Sequence, residues 1–133
     1  MIKFQSIAYF RSRLEALLKV RKGVYATVVD EIKREFGGKP IEQIRINNDM
    51  VLIDGPRIVI KLRLPDKQHR LAKKDGYRLL YLVYKDCEEV GFLDIYPKNG
   101  PMQQLDESDE AIAALLEQYA SEKETGLLED FEI

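Results

Sequence analysis

The apolar positions of this chain change period as the sequence advances, and each change marks an element. Ile2 and Phe4 alternate with Lys3 and Gln5, the period of a half-buried strand. Phe10, Leu14, Leu17 and Leu18 then recur at helical spacing, with Ser12 and Glu15 placed to form a capping box if the helix begins there. A second helical stripe runs from Val24 or Tyr25 through Val28, Val29 and Ile32 to Phe36, and Gly37, Gly38 and Pro40 end it. Between Ile41 and Ile53 the pattern predicts two short extended pieces, Ile44 with Ile46 and then Met50–Ile53, separated by Asn47, Asn48 and Asp49. Asp54, Gly55 and Pro56 form a turn.

Ile58, Ile60, Leu62 and Leu64 next alternate with Val59, Lys61 and Arg63, so Lys61 and Arg63 share one face of a strand. Pro65 ends it, and a polar, basic loop over 66–76 leads to Tyr77–Tyr84, apolar at nearly every position and therefore expected at the centre of a sheet. Arg78 is the one charge in that run. Asp86–Glu89 reads as a hairpin loop and Val90–Tyr96 as the last strand. Ala111, Ile112, Leu115, Leu116 and Tyr119 lie on one helical stripe, with Ser108 or Asp106 as cap, acids in the first turn, and Gly126 as the stop. Leu127–Ile133 is an acidic, partly apolar tail. The order predicts an α+β domain, two N-terminal helices and a C-terminal helix packed on one face of a mainly antiparallel sheet of about four strands. The organisation read from composition is a domain over 1–103 followed by an acidic helix and tail over 104–133.

Length allows one domain with a real core. No apolar window is long enough for a membrane span and no signal segment opens the chain, so a cytoplasmic protein is expected. Cys87 is the only cysteine, which rules out an intramolecular disulfide and a thiolate metal cluster. The net charge of −2 conceals a strong asymmetry: residues 57–85 carry +7 and residues 103–133 carry −9. The first value suits phosphate. The second admits two accounts, a solvated helix face with a loose tail, or a segment from Asp106 to Ile133 that folds over the basic face and blocks it.

Ile60-Lys61-Leu62-Arg63, the loop after it, and Gly76-Tyr77-Arg78-Leu79-Leu80-Tyr81 resemble two neighbouring strands of the RelE family of bacterial toxins. Leu93-Asp94-Ile95-Tyr96 followed by Pro97-Lys98-Asn99 is similar to the ending of its HigB-like branch. The resemblance covers about a third of the chain. It implies a type II toxin that cleaves messenger RNA on the ribosome without a metal or cofactor, and a cognate antitoxin as partner. The ribose 2′-hydroxyl attacks the adjacent phosphodiester, while cations stabilise the charge that gathers on the phosphate oxygens. The matching positions are Lys61, Arg63 and Arg78, with Tyr96 and Lys98 completing the catalytic set. Lys61, Tyr96 and Lys98 remain alternatives for proton transfer. Lys67, His69, Arg70, Lys73 and Lys74 form the expected RNA-binding loop, in which His69 is either solvated or a proton carrier.

The chain departs from the family at two points: Val59 stands where members carry a further cation, and no tyrosine follows Lys98 before the acidic helix. A second function therefore stays open, a binding module of the same fold that acts on gyrase, as ParE-like members do, or on another protein or nucleic acid. The residues set no oligomeric state.

Overall fold

The computed structural model describes residues 1–46 and 49–133. A six-stranded sheet runs in the order β2-β3-β4-β5-β1-β6. Its strands are β1 (Lys3–Ser6), β2 (Met50–Asp54), β3 (Arg57–Leu64), β4 (Tyr77–Tyr84), β5 (Glu89–Pro97) and β6 (Glu129–Asp130). The helices are α1 (Ala8–Leu18), α2 (Val28–Phe36), α3 (Ile41–Arg45) and α4 (Asp109–Thr125). The α+β class holds, but the sheet has six strands and is mixed: β1 lies parallel to β5, and every other pairing is antiparallel.

Alternation along the strands assigns the two faces. Tyr77 and Tyr81 of β4 point to the side where Tyr25 meets Tyr77, Phe36 meets Tyr81, and the Tyr81 hydroxyl donates to Ile44 O at 2.9 Å. Leu82 and Tyr84 point to the other side, where Lys123 of α4 reaches Tyr84 and the Tyr119 ring covers Gly91, the residue paired with Leu82. The helices thus lie on both faces, and the expectation of a single covered face is corrected. The reason is α4: Ile112, Leu115, Leu116 and Tyr119 form a buried stripe that needs a sheet surface of its own.

Three local expectations also change. The first helix starts at Ala8, before Ser12, and its first N–H is satisfied by the Glu122 carboxylate of α4 at 3.0 and 3.3 Å, so no capping box forms. The second begins at Val28. Residues 41–45 are helical rather than extended, because Pro40 opens a turn and Ile41 and Ile44, three apart, are buried together. Asn47 and Asn48 lie outside the described residues. The C-terminal tail is part of the sheet: β6 pairs with β1, and Phe131 packs edge-on against Phe10 and Phe92. Among the described residues no helix is long and apolar enough to cross a membrane.

Candidate functional site

Register, more than proximity in sequence, assembles the cationic positions. Arg63 pairs directly with Arg78, and Arg78 with Tyr96, so the three form one row across β3, β4 and β5. Lys61 occupies the next position on the same face, opposite Leu80, and Lys98 continues beyond Tyr96 with its N–H bonded to Gly76 O at 2.8 Å. All five expected catalytic residues therefore share the face that α4 covers only in part. Lys61, Arg63 and Arg78 line an open cleft of about 530 Å³ with Asp49–Val51 and Asp106. Two arginines directly opposite each other repel unless an anion or hydrogen-bond acceptors compensate.

The protein supplies such compensation. Asp106, just before α4, forms ion pairs with Lys61 at 3.3 Å and Lys98 at 3.5 Å, and accepts the Tyr96 hydroxyl at 3.2 Å. One carboxylate thus contacts three of the five candidates. Burial pulls its pKa upward, but the bond and charge of Lys61, the charge of Lys98 and the Tyr96 hydroxyl together hold it below the usual carboxylate range. Arg63 pairs with Asp49 at 3.1 Å. Arg78 donates to Lys73 O (2.9 Å), Lys74 O (2.8 Å) and Tyr77 O (3.1 Å), fastening the basic loop to the strand. Tyr96 is wholly buried, and burial followed by the charges of Asp106 and Glu107 pushes its phenol far above the ordinary value. It is placed to donate a hydrogen bond and poorly suited to serve as a base near neutral pH.

The expected RNA-binding loop divides. Lys73 and Lys74 are exposed beside the cleft, where Arg78 anchors their backbone. Lys67 and His69 lean toward the opposite side: the Lys67 N–H bonds to Glu31 of α2 at 2.7 Å, and His69 Nδ1 meets buried Asp66 at 2.7 Å. His69 lines a separate cavity of about 260 Å³ with Tyr25 and Asn99. Arg70 is exposed and adopts a left-handed backbone at the loop's tip. Val59 is fully buried across from Leu82, which explains why no cation stands there.

Sequence reasoning passed over a second polar group behind the cleft. Asp94 of β5 is fully buried, pairs with Arg13 of α1 at 3.1 Å, and accepts the Ile95 N–H at 2.8 Å. Arg13 also binds Gln104. Glu107, next to Asp106, faces Asp94, and the buried Asp94 Oδ2 and Glu107 Oε1 have no hydrogen-bond donor among the described residues. One proton held between the two carboxyls satisfies both oxygens. Burial, then the charge and hydrogen bond of Asp94, push Glu107 up to about 8, against weaker opposition from Arg13 and Lys61. The signal in the sequence was Asp94 itself, a charge inside an apolar strand like Arg78. Among the described residues no cluster of three His, Cys, Asp or Glu side chains is disposed to hold a metal ion.

This pair predicts a pH dependence. The folded chain keeps a proton that the unfolded chain releases above its ordinary value of 4.5, so stability falls as pH rises from there to about 8. Glu107→Gln, always neutral, should flatten that slope and raise stability at pH 8.5 by roughly 2 kcal/mol after allowance for solvent screening. Thermal melts of both proteins at pH 5.5 and 8.5 check this; parallel slopes would refute the shared proton.

No family model, no curated protein and no solved structure matches the chain.

Proposed function

We propose that the cleft binds RNA and cleaves it by attack of a ribose 2′-hydroxyl on the adjacent phosphodiester, as a toxin acting on messenger RNA at the ribosome and restrained by an antitoxin. The observation that carries this reading is the row Arg63–Arg78–Tyr96 with Lys61 and Lys98 beside it, in which Tyr96, Lys61 and Lys98 converge on a single carboxylate. Asp106 stands in for the anion. A carboxylate whose one oxygen meets Lys61 and whose other meets Lys98 and the Tyr96 phenol occupies the environment a phosphate needs for two of its oxygens, and donors fixed in advance stabilise the charge that develops in an in-line transfer.

The roles follow from the contacts. Lys61 and Lys98 neutralise the phosphate, Arg63 takes its outer oxygens, and Tyr96 donates a hydrogen bond. Arg78 holds the loop while keeping N–H groups to spare, since three carbonyl bonds do not exhaust five donors. Asp106 must leave for RNA to enter, so the acidic segment restrains the site through this one side chain.

A second reading has its own support. Buried Val59 and the raised Tyr96 phenol narrow the candidates for proton transfer to Lys61 and Lys98, both paired with Asp106, which favours a binding module, including one that acts on gyrase. Induced expression in bacteria separates the two. Growth arrest with loss of full-length mRNA and normal plasmid supercoiling is the expected outcome. Intact mRNA with altered supercoiling favours the gyrase reading, and absence of arrest favours binding alone.

A further inference from the structure

The two edges of the sheet are built differently. At one end β6 has two residues, both acidic, and a short charged strand is a poor template for another chain. At the other end β2 reads Met50-Val51-Leu52-Ile53, four apolar residues in succession, all exposed at 51, 38, 42 and 52%. Ile46, just before, is 77% exposed. Strands with apolar residues on both faces belong inside sheets, covered on both sides. Here one edge pairs with β3 and the other meets no strand among the described residues. Neither lysine nor proline guards it.

From these features we infer that β2 is an interface with a second copy of the chain, two β2 strands pairing antiparallel about a two-fold axis so that two six-stranded sheets join. The symmetric pattern of the strand, an acid, four apolar residues and an acid, suits a second copy, because it reads the same when reversed. The apolar run is bounded by Asp49 and Asp54, and each acid is already tied to an arginine of its own β3, Asp49 to Arg63 and Asp54 to Arg57. With Val51 opposite the partner's Leu52, and Met50 opposite the partner's Ile53, apolar residues meet apolar residues. The acids that come face to face bring their own counter-ions. Every contact is then self-complementary, as a two-fold axis requires. The bulge between Met50 and Leu52 limits the length of the pairing. The interface is therefore small and the dimer concentration-dependent, dissociating in the micromolar range or above. Because β2 also borders the cationic cleft, the dimer places two clefts on one continuous sheet.

Sedimentation of the full chain over a concentration series tests this. The weight-average mass should climb from 15.4 kDa toward twice that value, and Val51→Lys should hold it at the monomer value with an unchanged circular dichroism spectrum. Hydrogen exchange on the unaltered protein gives an answer even if the variant folds poorly: the β2 amides should gain protection with concentration, and those of β6 should not. A monomer at every concentration, or a dimer whose protection appears away from β2, overturns the proposal.

Discussion

Lys61→Ala is expected to lower cleavage of ribosome-bound mRNA by roughly 10²- to 10³-fold, the usual loss when one preorganised transition-state donor is removed. Lys61 is the most diagnostic of the cations. Its ammonium has Asp106 as its ion-pair partner, its side chain is 28% exposed, and its strand is held by pairing on both sides. The fold should therefore survive the change. Arg78→Ala is a poorer test, since the guanidinium holds three loop carbonyls and its loss loosens residues 73–77 whatever the chemistry. Asp106→Asn is the matched control of opposite sign. Removing the competing charge should tighten RNA binding roughly fivefold, corresponding to the ~1 kcal/mol typical of half-exposed ion pairs. Single-turnover cleavage and RNA titrations of the two variants read these effects separately. Wild-type cleavage by Lys61→Ala would remove the cationic cluster from the mechanism.

Gly76→Ala should destabilise the protein by about 3 kcal/mol or more, equivalent to a fall of roughly 10 °C in thermal midpoint. A Cβ at this position would lie 2.0 Å from Leu64 O, 2.8 Å from Pro65 C and 2.9 Å from Asp66 N. All three are backbone atoms at the end of β3, so no side chain can rotate away. The same glycine accepts the Lys98 N–H, and it immediately precedes the strand that carries Arg78. Relief of the clash must therefore part β3 from β4 where Arg63 faces Arg78, and activity should fall with stability. Gly91→Ala meets the Tyr119 ring instead, whose Cε2 would be 2.2 Å away. A ring on a helix gives way more readily than three backbone atoms, so that variant should suffer less. Calorimetric melts of the two variants rank them, and a Gly76→Ala midpoint within a degree of wild type would contradict this packing.

Much of the sheet was legible because its central strands are long and patterned. Alternation placed Lys61 and Arg63 on one face, and the unbroken apolar run of Tyr77–Tyr84 marked β4 as central with Arg78 as its anomaly. The rest depended on contacts that leave no local period. The partner of β1 lies over eighty residues away in β5, and β6 is too short to alternate. The five-residue α3 offers only the spacing of Ile41 and Ile44, while Pro40 marks the end of one helix as readily as the start of the next.

The candidate site divides in the same way. Its cations could be listed from their strands. The individual groups that meet them or lie behind them could not, because Asp106, Glu107 and Arg13 belong to segments whose place over the sheet is set by the packing of α4 and α1. The acidic −9 segment does meet the basic face, through Asp106, while the rest of it builds a core stripe and an edge strand.

The most direct test of the central claim is the chemistry of the cut ends. A translating extract is incubated with the protein, and the mRNA fragments are mapped and their termini identified. Attack by the 2′-hydroxyl predicts 2′,3′-cyclic phosphate and 5′-hydroxyl ends that appear only while ribosomes occupy the message and disappear with Lys61→Ala. Intact mRNA, or fragments bearing 3′-hydroxyl and 5′-phosphate ends, would contradict the account.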